Sequence, residues 1–143
     1  MSFKPYIKDN VEYYYTKITN DIRVSVKTNF LNDQSNEENN LWVWSYHILI
    51  ENNGDDLVQL IDRYWKITDE SGYIKEVRGS GVIGLQPSIK PGDFFKYSSG
   101  TPLNKSSGFM TGNFRMINKK KESFFIDVPI FSLDTPSINK ILN

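Results

Sequence analysis

Cysteine is absent from this chain of 143 residues. That excludes a disulfide framework, a zinc–thiolate centre and a cysteine nucleophile. Alanine is absent too, which removes the best helix former, while isoleucine, tyrosine and phenylalanine are plentiful and favour strands. Charge of one sign is lacking: 17 basic and 17 acidic residues cancel. A dedicated electrostatic nucleic-acid binder carries a basic excess, so that class is set aside. No apolar run approaches the roughly 20 residues that span a bilayer as a helix. The stretch from Met1 to Asn10 has no apolar core of a secretory signal. The expectation is a cytoplasmic protein of one domain, with no membrane insertion. A chain of this length buries about 70% of its unfolded surface, enough for its own core.

What is present is a succession of short strand patterns. From Ile22 to Phe30 the chain alternates, with Ile22, Val24, Val26 and Phe30 on one face and Arg23, Ser25 and Lys27 on the other. Leu41 to Ile50 repeats this with Trp42, Trp44, Tyr46, Ile48 and Ile50. Asn52-Asn53-Gly54-Asp55 is a turn. Leu57 to Thr68 is a third strand with a bend, because Val58 and Leu60 fall out of phase with Ile61, Trp65 and Ile67. Further strands are expected over Tyr73–Val77, Asp93–Tyr97, Met110–Met116 and Phe124–Phe131. Gly112 inside a strand predicts a bulge or the close approach of a backbone or ring, and Pro129 predicts an edge strand or a bulge. About seven antiparallel strands with regularly spaced turns predict an all-β sandwich. The chain divides into an N-terminal segment (1–20), a β-sandwich domain (21–136) and a tail (137–143), where Ser137 to Leu142 is the one candidate helical turn.

The chemistry-bearing candidates are few. Gly79-Ser80-Gly81-Val82-Ile83-Gly84 is a literal G-x-G-x-x-G. A dinucleotide fingerprint opens a helix, yet here Leu85-Gln86-Pro87 follows and the flanks are β-formers, so the usual cofactor reading fails. Two readings stay open. One is a nest of backbone N–H groups at Gly79, Ser80, Gly81 and Gly84 that holds a phosphate, with Arg78 adding a charge. The other is architectural, the glycines permitting a bulge and a tight crossing. Arg63 and Trp65 share a strand face that is mostly apolar. Arg63 either stacks or pairs there as a ligand contact, or anchors the strand bend. His47 is the only imidazole and lies opposite the Trp44, Tyr46 and Ile48 face. Asp55, Asp56, Asp69, Glu70 and Asp93 are turn acids of the Asx type, and no metal site or cofactor is assigned. With one histidine and no cysteine, nucleophilic catalysis is reduced to serine with His47 or with lysine, and no motif supports either.

The spaced residues Tyr15, Thr19, Ile22, Val24 and Val26, then Trp44-x-Tyr46-x-Ile48-x-Ile50-x-Asn52, then Val58-Gln59-Leu60-x-x-Arg63-x-Trp65-x-Ile67-x-Asp69 form an ordered series. The series continues through Glu76-Val77-x-Gly79-x-Gly81-Val82-x-Gly84-x-Gln86-Pro87, Pro91-Gly92 and Phe95-x-Tyr97-x-Ser99-Gly100. It closes with Gly108-x-Met110-x-Gly112-x-Phe114-x-Met116 and Phe131-x-Leu133-x-x-Pro136. Together they resemble the ApaG family over residues 15–136. Leu85, where an acid is common, and Phe114, where Tyr is common, depart from its pattern. The resemblance implies a fibronectin type III-like or immunoglobulin-like sandwich and says little about chemistry; it is the residues that offer no catalytic machinery. It further implies a link to cobalt and magnesium efflux, a gene neighbourhood beside a diadenosine tetraphosphate hydrolase, and a binding role, since the eukaryotic domain is fused to interaction modules such as an F-box protein. The expected function is therefore a non-enzymatic binding or regulatory module, with a protein partner or self-association through strand edges. The alternative is a sensor of a phosphorylated small molecule such as a nucleotide or diadenosine polyphosphate, acting through residues 79–84.

Overall fold

The computed structural model describes residues 4–135; the helical turn expected from Ser137 lies outside them. Strand propensity dominates throughout. Eleven strands follow one another: β1 (Tyr6–Lys8), β2 (Val11–Tyr13), β3 (Tyr15–Thr19), β4 (Ile22–Phe30), β5 (Trp42–Asn52), β6 (Val58–Asp69), β7 (Ile74–Ser80), β8 (Ser88–Ile89), β9 (Phe94–Leu103), β10 (Ser107–Asn118) and β11 (Ser123–Asp134). Two single 3-10 turns, Asn32–Gln34 and Glu37–Asn39, lie in the polar loop before β5. None of the described helices is long and apolar enough to cross a membrane.

The strands form a sandwich of two antiparallel sheets. One has the order β3-β4-β5-β9; the other runs β11-β10-β6-β7, with β8 pairing the start of β6. Alternation places Ile22, Val24, Val26, Trp44, Tyr46, Ile48 and Ile50 of the first sheet against Trp65, Ile67, Met110, Phe114, Met116 and Phe131 of the second. The aromatic rings lock the layers together: Trp65 stands edge-on to Tyr46 (5.4 Å between centroids), Phe131 (6.0 Å) and Phe114 (6.1 Å), an arrangement the ring quadrupoles favour.

The bend expected in β6 is a bulge. Asp62 pairs with Arg115 and Leu60 with Met116, so Ile61 is the extra residue. Its insertion shifts the inward phase from Val58 and Leu60 to Arg63, Trp65 and Ile67. Pro129 likewise sits where β11 carries one residue more than β10, on a strand that ends its sheet. A Cβ on Gly112 would collide with the Tyr64 carbonyl oxygen and come within 3.0 Å of the Trp65 ring, the close approach that the sequence predicts.

The strand count exceeds the expected seven chiefly at the N-terminus. Tyr15–Thr19, grouped by sequence with the N-terminal segment, is hydrogen-bonded to β4 inside the sheet. The β1–β2 hairpin packs on the outer face near Leu49 and Glu51, both buried there. Tyr6 Oη donates to Glu51 Oε2 at 3.0 Å, and Lys8 Nζ lies 3.6 Å from the same oxygen.

Candidate functional site

Arg63 follows the Ile61 bulge and faces inward, directly opposite Gly79 of β7. Its side chain crosses Gly79. A Cβ there would stand 2.8 Å from Nη1 and Nη2, so only glycine leaves the guanidinium its place. Nη1 donates to the carbonyl oxygens of Ser80 (3.0 Å) and Gly81 (2.8 Å). The first glycine of the G-x-G-x-x-G thus serves a side chain sixteen residues upstream, and Arg63 ties the end of β7 to β6.

The remaining glycine-segment groups are mostly committed to the fold. Gly81 N–H donates to Ile61 O at 2.8 Å, and Val82 and Leu85 exchange N–H···O bonds at 2.8 and 2.9 Å. Ile83 (φ 44°) and Gly84 (φ 78°) form the tip of that tight turn, the two-residue connection with positive φ at both centres. Val82, which follows the second glycine, is fully buried in the core. Arg78 points to the opposite face from Arg63. It stacks over the Tyr64 ring at 4.3 Å, and its Nη2 is 3.7 Å from Glu76. Arg78, Gly79 and Ser80 share an open hollow of about 460 Å³ with Arg115 and Phe125, whereas Gly81 and Gly84 lie outside it.

Trp65 is core, 3% exposed. With Arg63 it lines a smaller cleft of about 210 Å³ between β7 and β9, where Lys75 and Val77 face Ser99, Gly100 and Thr101. Behind Ser99, on the same inward face of β9, lies Tyr97. Its hydroxyl is buried with no hydrogen-bond partner. Burial pushes the Tyr97 phenol far above its ordinary pKa, Tyr46 adds to the rise, and Arg63 opposes it. Burial also raises the Tyr46 phenol, against a hydrogen bond with Ser99 and the charge of Arg63.

Cross-strand register creates one contact that no local motif signals. His47 Nδ1 lies 2.6 Å from Ser98 Oγ, and Nε2 lies 3.0 Å from Asn29 Nδ2. The Asn29 amide nitrogen only donates, so Nε2 accepts and the ring proton sits on Nδ1, where it is donated to Ser98. A general base needs its lone pair toward the hydroxyl; this tautomer holds Ser98 without activating it. Burial first, and then the Lys27 charge, lower the His47 pKa. Among the turn acids, Asp69 Oδ1 accepts from Ser71 N–H (2.9 Å), Ser71 Oγ and Tyr73 N–H (3.2 Å). The Ser71 hydroxyl bond is the chief cause of its lowered pKa. Asp93 Oδ1 accepts from Phe94 N–H at 2.9 Å. Among the described residues no group of three or more His, Asp or Glu side chains is placed to hold a metal ion.

Comparison with known proteins points one way. The family model described as the ApaG domain matches residues 32–118. Protein ApaG of Brucella anthropi is 50% identical over 129 residues, covering 90% of this chain and 99% of the relative. Protein ApaG of Parvibaculum lavamentivorans is 46% identical over the same shares. A crystal structure of a Bordetella pertussis protein described as ApaA superposes with a TM-score of 0.79 at 36% identity, covering 81% of this chain and 94% of that one.

Proposed function

The chain belongs to the ApaG family, and we propose that it acts as a non-enzymatic, cytoplasmic binding module that takes a protein partner along the open edge of β7. One observation carries the reading: among the described residues the outer margin of β7 runs uninterrupted from Ile74 to Ser80. The Asp69 N–H to Tyr73 O bond (3.0 Å) and the Gly81 N–H to Ile61 O bond (2.8 Å) bracket the β6–β7 pairing. Antiparallel alternation between them turns the N–H groups of Ile74, Glu76, Arg78 and Ser80 away from β6. Two of the other margins are interrupted. On β9 the same alternation turns the N–H groups of Phe94, Lys96, Ser98 and Gly100 outward, and the run ends at Pro102, which has none to offer. On β11 the bulge at Pro129 breaks the edge, and β3 closes on it through Lys17–Asp127 (3.1 Å) and Thr19 Oγ1, which accepts from Asp127 N–H.

The end of β7 adds an apolar tip. Ile83 and Leu85 are 57% and 51% exposed. A β-branched residue at φ 44° is a backbone outlier, and strain of this kind concentrates at sites under functional constraint. Lys75, Glu76 and Arg78 along the edge favour an incoming strand with acidic residues opposite the two cations. In this reading a link to cobalt or magnesium homeostasis runs through the partner.

The test is quantitative affinity capture with the wild type and two variants. Glu76→Pro removes one outward N–H while leaving the pairing with β6. Ile83→Asn relieves the left-handed strain and removes the apolar tip. Loss of the same captured protein from both variants, with unchanged circular dichroism, supports the reading; retention in both overturns it. A second reading, a phosphorylated small molecule held at Gly79–Gly84 with Arg78, is favoured by the hollow that Arg78, Gly79 and Ser80 share with Arg115. It is tested by amide NMR titration with diadenosine tetraphosphate, with saturable shifts at Gly79 to Gly84 as its required result.

A further inference from the structure

The cleft between β7 and β9 has a charge pattern that its architectural role leaves unused. Arg63 spends only Nη1 on the carbonyls of Ser80 and Gly81. Its Nη2 and Nε bond to no described residue, and no described carboxylate lies within 4.0 Å of it, unlike Arg78 and Arg115, which both have acidic partners. Lys75 adds a second cation at the rim, and no acid lines the cleft. An arginine with its fork only half occupied is suited to a planar oxyanion, which it grips through two parallel N–H···O bonds.

The interior side of the same margin holds the complementary anomaly. The Tyr97 hydroxyl is buried without a partner, on a residue only 6% exposed. A buried hydroxyl left unpaired is costly and calls for an explanation. Tyr97 and Ser99 share the inward face of β9, and Ser99 pairs with Tyr46 across the sheet. Ser99 thus lines the cleft with the half-free guanidinium, and Tyr97 lies one inward position further along β9, just outside the lining. The walls are apolar: Trp65, Val77 and Met110. A cleft of about 210 Å³ admits a short ligand only.

We propose that this cleft is a binding site for a small carboxylic acid with a compact branched apolar tail. Its carboxylate sits on Arg63 Nη2 and Nε with Lys75 nearby, the Tyr97 hydroxyl turns toward that oxyanion, and the tail lies against Trp65 and Val77. The site shares Lys75 with the β7 edge invoked for a protein partner but takes its ligand on the inward side of that strand, and it stands whether or not that partner exists. Arg63 also borders the glycine-segment hollow, but the two share no other lining residue.

The probe is isovalerate, followed by amide and indole NMR on the full chain at constant ionic strength. The neutral isostere isovaleramide and inorganic phosphate are run in parallel. Isovalerate is expected to shift the Trp65 indole, Gly100 and Thr101 saturably, with a dissociation constant of about 1 mM, the scale open to a ligand of so few atoms. Isovaleramide is expected to leave those resonances in place. Tyr97→Phe, which deletes one oxygen from a buried ring, is expected to weaken isovalerate about fivefold, the equivalent of one net hydrogen bond. Lys75→Gln, at an exposed position, weakens it severalfold without touching the fold. Equal shifts with acid and amide, or no saturable shift with isovalerate, overturn the proposal. So does phosphate saturating these residues where isovalerate does not, and so does undiminished isovalerate binding by both variants.

Discussion

Replacing Tyr97 by Phe removes one atom and isolates one physical quantity. The ring stays where it packs, 6.5 Å from Phe114 and 6.2 Å from Phe95 between centroids. Only the hydroxyl goes, and that hydroxyl is buried without a partner. A buried polar group left unpaired costs about 1–3 kcal/mol, so Tyr97→Phe is expected to stabilise the free protein by about 1 kcal/mol. For a domain of this size that raises Tm by roughly 4 °C. Tyr46→Phe is the opposing control. Tyr46 is buried too, but it faces Ser99 across the β5–β9 register and its hydroxyl is not among the buried groups left without a partner, so its loss is expected to cost about 1 kcal/mol. The assay is urea unfolding followed by tryptophan fluorescence at pH 7, with the m-value held as the check on two-state behaviour. Alkaline pH supplies a second signature. The Tyr97 phenol in the folded state titrates above its ordinary value of 10.0. The stability from that shift is fully present below pH 10 and is lost as pH rises toward the folded value. The Phe variant lacks this loss, so its advantage over the wild type is expected to widen above pH 10. A Tyr97→Phe protein that is less stable than the wild type at pH 7 refutes the reasoning: the hydroxyl then has a partner in solution, such as a buried water shared with Arg63 or Tyr46.

Three further outcomes are expected. Gly112→Ala drives a Cβ into the Tyr64 carbonyl within the β6–β10 ladder and is expected to cost at least about 3 kcal/mol. Gly84→Ala meets open space at φ 78° and is expected to cost only about 1–2 kcal/mol of left-handed strain; paired denaturation midpoints check the order. The His47 pKa is lowered from 6.5 by burial and by Lys27, so neutral His47 supports the fold above pH 6.5, and that support is lost as pH falls through the folded value. His47→Gln is therefore expected to flatten the decline in urea midpoint between pH 7 and pH 5, and an unchanged decline counts against it. Finally, Arg63 and Gly79 behave as one feature. Gly79→Ala is expected to cost about 1–2 kcal/mol in the wild type by displacing the guanidinium. In an Arg63→Met background that cost is expected to fall by at least half, and a double-mutant cycle with no coupling would sink the assignment.

The sequence makes inward faces legible because alternation depends only on neighbours. Ile22, Val24 and Val26 announce β4, and the phase slip between Leu60 and Trp65 announces the bulge at Ile61 that β10 then displays as a register shift. β1 and β2 escape notice because three residues cannot alternate visibly. Their absence from the sequence reading also hides why Leu49 and Glu51 are buried on the back of β5. Partnership is harder to read than facing. Ser98 reaches His47 only through the β5–β9 register, across 51 residues, and the missing partner of Tyr97 is a property of its surroundings alone. The glycine segment lies between these cases. Its spacing correctly signals constrained backbone, but spacing says nothing of what each glycine admits. Gly79 admits the Arg63 side chain, while Gly84 completes a turn whose strained member is Ile83. Two glycines of one motif thus answer to different physics. Arg63, which the motif does not contain, joins the end of β7 to the cleft between the sheets, because a guanidinium that caps two carbonyls with one nitrogen still has donors to give.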